Sequence, residues 1–371
     1  VADIGKTSFS ERKFRSCAIF ALKWITEPSE LGLSETHKEH HMADTGNFIG
    51  LDVGGTTMKC AVVTGEGRPL SKPVVMDTNP ERGQEAGLET MCETIRRAIA
   101  AANLTLADIT AIGVATPGLG DIKKGLIIDP PNLKPWKNVA VREHIAKVFG
   151  KPTVYQNDAN AAAYGEFWVG AAQEAKSMVL FTLGTGVGGG IIIDDKIIEG
   201  EHSHGGELGH MRIAMPDSGR QCGCGARGCL EAYASATNVV RRAREDMACW
   251  RGPSKLREYY TANNDVFTAK AIFQHASEGD ELAMKVVDDT AYYLALGACA
   301  IMATVDPEMI VFGGGMVGAG EWFRSKIEDF VKRFGLPYPA KSVKIRFASL
   351  GSDAGFIGTA GCARLLVLNK A

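Results

Sequence analysis

Two stretches of this chain repeat one pattern: LDVGGTTMKCAVV from residue 51 and FTLGTGVGGGIII from residue 181 are each an apolar strand, a glycine turn and a returning strand. A chain that carries this unit twice is constrained to two similar α/β halves, and setting the halves face to face opens a cleft between two glycine turns. The surrounding pattern agrees. FIGLDV, KCAVVT and PLSKPVVMDT read as three strands, EAGLETMCETIRRAIAAAN as a helix and ITAIGVATP as a buried strand; NVAVREHIAKVFG reads as a helix, PTVYQND as a strand and ANAAAYGEFWVG as a helix. The rhythm restarts with SMVLFTLG and GIIIDDK. After an insertion over about 199–231 come several helical stretches, the strands MIVFGGG and VKIRFAS, and a closing helix GFIGTAGCARLLVL.

Glycine turns let backbone N–H groups approach an anion with no Cβ in the way, and several N–H groups together make a phosphate nest. The first such turn offers Gly54, Gly55, Thr56 and Thr57, with Lys59 for a phosphate and Asp52 to hold Mg²⁺ through water. The second offers Gly184, Thr185, Gly186 and Gly188, and the third Gly313, Gly314 and Gly315 after an apolar strand. Neither the P-loop nor the Rossmann fingerprint is satisfied, and any one turn alone reads as a plain hairpin. Three at strand ends, two of them in equivalent places, point to a nucleotide cleft.

Asn157 and Asp158 close a strand just ahead of an alanine-rich helix. A helix N-cap explains them, as Asn and Asp favour that position. The other reading places the Asp158 carboxylate in the cleft to accept the proton of an attacking hydroxyl, and the two readings are compatible. Further on, His210, Cys222, Cys224 and Cys229 form H-x11-C-x-C-x4-C among tight glycine turns. Four soft ligands make a closed tetrahedral zinc site, which is structural rather than catalytic. Three unrelated core cysteines are the alternative, but CxC among glycines is poor core material. His202 and His204 read as loop residues. Glu207 and Glu231 flank the cluster and become acceptors for sugar hydroxyls if zinc fixes the loop against the cleft.

Composition excludes several classes. At 371 residues the chain has material for two cores, and a formal net charge of -2 with dispersed basic residues argues against a nucleic-acid or acidic-lipid surface. Nine cysteines, three of them in the cluster, fit a metal site plus buried thiols in a reducing cytosol better than a disulfide framework. No apolar run is read as membrane-spanning, and ERKFRSCAIFALKWI is interrupted by Lys23 with no cleavage site after it, so it is not read as a signal peptide. Residues 1–47, rich in charge and histidine, are expected to be a poorly ordered extension or a start set too far upstream of Met42.

These motifs carry a resemblance. LDVGGTTMKCAVV, GVATPG, QNDANAAAYGE, FTLGTGVGGGII, GGELGHM, CGCGARGCLEAYAS and VFGGG occur in the order seen in the ROK family of repressors, open reading frames and kinases. From about Phe48 onward the chain resembles its members, and within the family it is most similar to the bacterial glucokinases. The resemblance implies the actin-like, ribonuclease-H-like ATPase fold. It also implies a small α/β domain of residues 48–167 plus 355–371, a large one of 168–354 with the zinc-braced loop, and closure on ATP and a sugar. Carried over residue by residue, it makes Asp158 the catalytic base, and Asn157, Glu207, His210 and Glu231 sugar-binding, with Gly118 nearby. His210, Cys222, Cys224 and Cys229 become the zinc ligands. The His210–Cys222 segment is slightly longer than the family's. A cytoplasmic homo-oligomer, dimer or tetramer, without nucleic-acid or membrane partners is expected. Glucose is the expected acceptor; other hexoses and N-acetylhexosamines are alternatives, and polyphosphate is an open second donor. A sugar-responsive repressor is the rival of another class. It needs a complete winged helix-turn-helix, for which the residues ahead of the first strand are too few.

Overall fold

The computed structural model describes residues 46–368. What was expected of residues 1–45, the extension and any DNA-binding head, lies outside the described residues. The first half runs β1 (Asn47–Val53), β2 (Thr57–Thr64), β3 (Val74–Asp77), α1 (Gln84–Ala101), β4 (Ile109–Thr116), the short β5 (Gly120–Asp121) and β6 (Leu126–Ile127), α2 (Val141–Phe149), β7 (Thr153–Asn157) and α3 (Asp158–Trp168). The second runs β8 (Ser177–Leu183), β9 (Val187–Ile193), β10 (Lys196–Ile197), α4 (Glu231–Ala234), α5 (Ala236–Cys249), α6 (Lys255–Ala262), α7 (Ala269–Ser277), α8 (Glu281–Val305), β11 (Met309–Gly313), α9 (Glu321–Phe334), α10 (Pro337–Ser342) and β12 (Lys344–Phe347). Last comes α11 (Ala354–Leu368).

The duplication read in the sequence is a duplication of sheets. One five-stranded sheet has the order β3-β2-β1-β4-β7 and the other β10-β9-β8-β11-β12. In each, the strand before the glycine turn pairs antiparallel with the strand after it and parallel with the next strand inward. The central strands are apolar on both faces, with Phe48, Ile49, Leu51 and Val179, Leu180, Phe181 all buried, because both faces of each sheet are covered.

The layers alternate. Residues of α1 and α2 pack on one face of the first sheet, with Met91, Ile95 and Ile145 against Leu51 and Val114. Phe356 and Ala360 of α11 cover its other face. Tyr164 and Phe167 of α3 lie on the second sheet against Met178, Leu180 and Ile192, whose far face meets α5, α7, α8 and α9. So α3, which follows the last strand of the first sheet, packs on the second sheet, and it lies against α11 between the two sheets. They cross so closely that a Cβ on Gly358 would overlap the Ala161 carbonyl.

One expectation changes. α8 is long and apolar enough to cross a membrane by length and composition, where no such stretch was read in the sequence. Leu282, Val286, Leu294, Ala298 and Ile301 along it are buried in the second half's main core, which makes it a core helix.

Candidate active site

β7 delivers Asn157 to the end of the first sheet, and α3 begins there. The Asn157 Oδ1 accepts the backbone N–H groups of Ala159 (2.9 Å) and Asn160 (3.2 Å), so Asn157 is the N-cap. Asp158 is the first helical residue, and its Oδ1 accepts the Ala159 N–H at 2.8 Å. The cap is formed by Asn157, and Asp158 beside it lines the cleft. Behind them the Gln156 Oε1 accepts from the Asn157 N–H (2.8 Å) and the Asn160 amide (3.2 Å), and its Nε2 donates to Glu199 (2.8 Å).

Asp158 lines a cavity of about 550 Å³. Asp52 and Gly54 enter it from the β1–β2 turn, Gly184 and Gly186 from the β8–β9 turn, and Gly313 and Gly314 from the end of β11. Gly118, Asn157, Glu207, His210 and Glu231 line the same space. Asp52 and Asp158 are both half-buried on the wall of this cavity. Burial pushes Asp52 up to about 7, helped by the Asp158 charge and opposed by Lys59. Burial likewise raises Asp158; the Ala159 N–H opposes this and the Glu207 charge adds to it.

The loop over 199–231 forms a further stretch of the wall, against the β8–β9 turn. A 3-10 turn, Leu208–His210, presents Glu207 and His210. The loop then folds back on itself through bridges between Arg212 and Cys229 and between Gln221 and Arg227, which gives the long His210–Cys222 segment a defined path. The ligand atoms of His210, Cys222, Cys224 and Cys229 all lie within 4.8 Å of one another. Two of the edges are 3.8 Å, from Cys222 Sγ to His210 Nδ1, and 3.7 Å, from Cys224 Sγ to Cys229 Sγ. A tetrahedron of zinc–sulfur bonds of about 2.3 Å has edges near 3.8 Å, so the donor set fits zinc. Glu231 joins this cluster to the glycine turn: its Oε2 accepts the Val187 N–H at 3.0 Å while its Oε1 lies 3.5 Å from Cys222 Sγ.

A second cavity of about 820 Å³ adjoins the β8–β9 turn and is lined by Thr185, Thr268, Lys270, Gln274, Met316 and Trp322 among others. It shares Leu183 and Gly184 with the first.

A model of the ROK family matches residues 48–365. This chain belongs to the ROK family. It is 35% identical over 311 residues to a glucokinase of Halalkalibacterium halodurans, covering 84% of this chain and 93% of that one. Among solved structures it resembles a ROK hexokinase from Thermus thermophilus (33% identity, TM-score 0.74, 87% of this chain and 99% of that one). It also resembles a ROK glucokinase from Streptomyces griseus crystallised with glucose and AMPPNP (32% identity, TM-score 0.69, 86% and 100%). The two duplicated sheets are thus the actin-like ATPase fold of ROK proteins.

Not every residue expected at the ROK cleft lines it. Gly55, Thr56 and Thr57 are not among the lining residues, and Thr56 and Thr57 are exposed. Thr185 lines the adjoining cavity instead. Lys59, expected on a phosphate, is engaged by protein groups at the cleft edge. Its ammonium donates to the Ser352 carbonyl (3.0 Å), the Ser352 hydroxyl (3.0 Å) and Asp353 (2.9 Å), so its three N–H groups are taken by the turn before α11. The sequence reading missed Asn132, Ser203, Ser352 and Gly355 on the cleft wall. The run GGGM at the end of β11 hinted at Met316 in the second cavity, but no local signal marks Thr268 or Lys270.

Proposed function

We propose that this chain transfers the γ-phosphoryl group of ATP to a hydroxyl of glucose, with Asp158 as the general base. The observation that supports this most is the position of Asp158. It stands at the N-terminus of α3, in a cleft lined by glycine turns of both sheets and by Glu207, His210 and Glu231. The sugar hydroxyl oxygen forms the new bond to phosphorus, the bond from phosphorus to the bridging oxygen of ADP breaks, and the hydroxyl proton passes to Asp158. A burial-raised carboxylate is suited to that role, because it is a stronger base than an exposed one once ionised.

Glu207, His210 and Glu231 orient the sugar by accepting from and donating to its hydroxyls, and Asn157 and Gly118 border the same space. The glycine turns offer backbone N–H groups to the phosphates, and the second cavity takes the nucleoside. Mg²⁺, when bound, would supply positive charge at the transferring phosphoryl group, and Asp52 is the residue that would hold it. His210, Cys222, Cys224 and Cys229 would hold a structural zinc that stiffens the sugar-facing loop. Identities of 32–35% with glucokinases support glucose as the acceptor.

An ADP-coupled assay across a hexose panel tests the reading. Glucose should give the highest kcat/KM, and Asp158→Ala should lower kcat by about 10²-fold or more with the melting temperature kept. A larger kcat/KM for N-acetylmannosamine, mannose or fructose would move the acceptor. No turnover with any sugar, together with a gel shift by the full chain, would replace the kinase by the repressor.

A further inference from the structure

Two stretches of chain connect the elements around α3 and α11, one from α3 to β8 and one from β12 to α11. Both meet at Glu166, near the end of α3. Its side chain is 1% exposed and makes no salt bridge among the described residues. One carboxylate oxygen, Oε2, accepts the Ala171 N–H (2.8 Å) from the first connection and the Ser349 N–H (3.0 Å) and hydroxyl (3.2 Å) from the second. The other, Oε1, accepts the Leu350 N–H at 2.8 Å. The first connection is wrapped so tightly that a Cβ on Gly170 would overlap Oε2. A buried anion with three backbone donors is over-determined in position, and loss of the charge would leave those N–H groups unpaired.

Lys59 grips the same second connection three residues further on, through Ser352 and Asp353. The segment from Ser349 to Asp353 is therefore held from α3 on one side and from β2 on the other. Asp158 and Glu166 sit on one helix, eight residues or about 12 Å apart along its axis. Asp158 follows directly on Asn157, which is paired in the first sheet, so any rotation of one sheet against the other that leaves Glu166 in place moves the Asp158 end of α3 with the first sheet relative to the second.

We infer that Glu166 is the pivot of cleft closure: a positioning residue that pins both connections to the base of α3, so that closure carries Asp158 to the acceptor hydroxyl rather than loosening the helix. The activity readout of this inference rests on the kinase reading; its structural readouts do not.

Glu166→Gln keeps the shape but replaces one accepting oxygen by a donor, and Glu166→Asp keeps the charge but is one methylene too short to reach both connections. In the pivot reading Glu166→Gln lowers kcat at least about tenfold, while the affinity for AMPPNP alone stays within about twofold, because Glu166 does not line the cavity proposed for the nucleoside. Small-angle scattering should show the wild type contracting when glucose and AMPPNP are added, and Glu166→Gln failing to contract. Glu166→Asp should recover neither property. Wild-type kcat and contraction in Glu166→Gln would overturn the inference, and so would a lost kcat with contraction intact or a wild type that does not contract. If the variants do not fold, hydrogen exchange on the wild type decides. The amides of Ala171, Ser349 and Leu350 should be protected and stay so when both ligands bind; exchange at open-loop rates, or protection lost on binding, overturns the pivot. A wild type that turns over no sugar while those amides remain protected removes the kinase reading and leaves the pinned junction standing.

Discussion

Asp158 is under two opposed demands: a base must be ionised to act, and its surroundings penalise the ionised form. Burial raises it, with Glu207 adding to the effect, and burial also raises Asp52 to about 7. For an acid whose folded value lies above the ordinary 3.8, the folded state holds its proton more tightly, so the stability present at low pH declines as pH climbs from about 4 to about 7. Asp52→Asn should therefore melt higher than the wild type at pH 8 and gain little at pH 4, as scanning calorimetry at the two pH values would show; an equal gain at both refutes the shift. The acid limb of kcat/KM should likewise lie above the ordinary carboxylate range. The Asp158 motif was legible in the sequence because strand, carboxylate and helix are contiguous there. The partners Lys59 has in this structure were not legible for the opposite reason, since they lie 293 and 294 residues away. Nothing near Lys59 distinguishes an ammonium bound for a phosphate from one bound for a distant turn.

Among elements, the strands were readable because each is a short apolar run stopped by glycine or by a turn, and both faces of each sheet are covered. The placement of α3 on the second sheet was not, because it depends on contacts with β9 and α11 rather than on its own periodicity. The same holds for the β5–β6 hairpin, which is only two residues on each side. The loop over 199–231 was recognised by its cysteines, whereas its folding-back rests on bridges that no local pattern marks. Cys224→Ser should release zinc, measured by elemental analysis, lower the melting temperature and raise KM for the sugar more than KM for ATP, since Glu207, His210 and Glu231 all hang from this loop. Unchanged metal content and melting would remove the metal site. Where α3 crosses α11, Gly358→Ala forces the helices apart and should cost about 1–3 kcal/mol by denaturant titration.

At the scale of the whole molecule, the cleft draws walls from both sheets, so its two ligands report on each other. On the proposed reading, a sugar held against the 199–231 loop and a nucleotide held by the β8–β9 turn would both favour a closed arrangement. Together they should raise the melting temperature by more than the sum of their separate effects, which thermal-shift measurements in a two-by-two design would resolve. Strict additivity would mean that the ligands bind without coupling. The return of the chain to its first sheet also has a consequence for synthesis. Phe48, Ala61 and Ala111 on that sheet are covered by Phe356, Ile357 and Ala360 of α11. On a ribosome adding about 5–20 residues per second, the interval between the emergence of β4 and that of α11 is on the order of ten to fifty seconds. Throughout it the nascent first half has a bare apolar face, and it must be shielded by a chaperone or wait, incomplete, for α11.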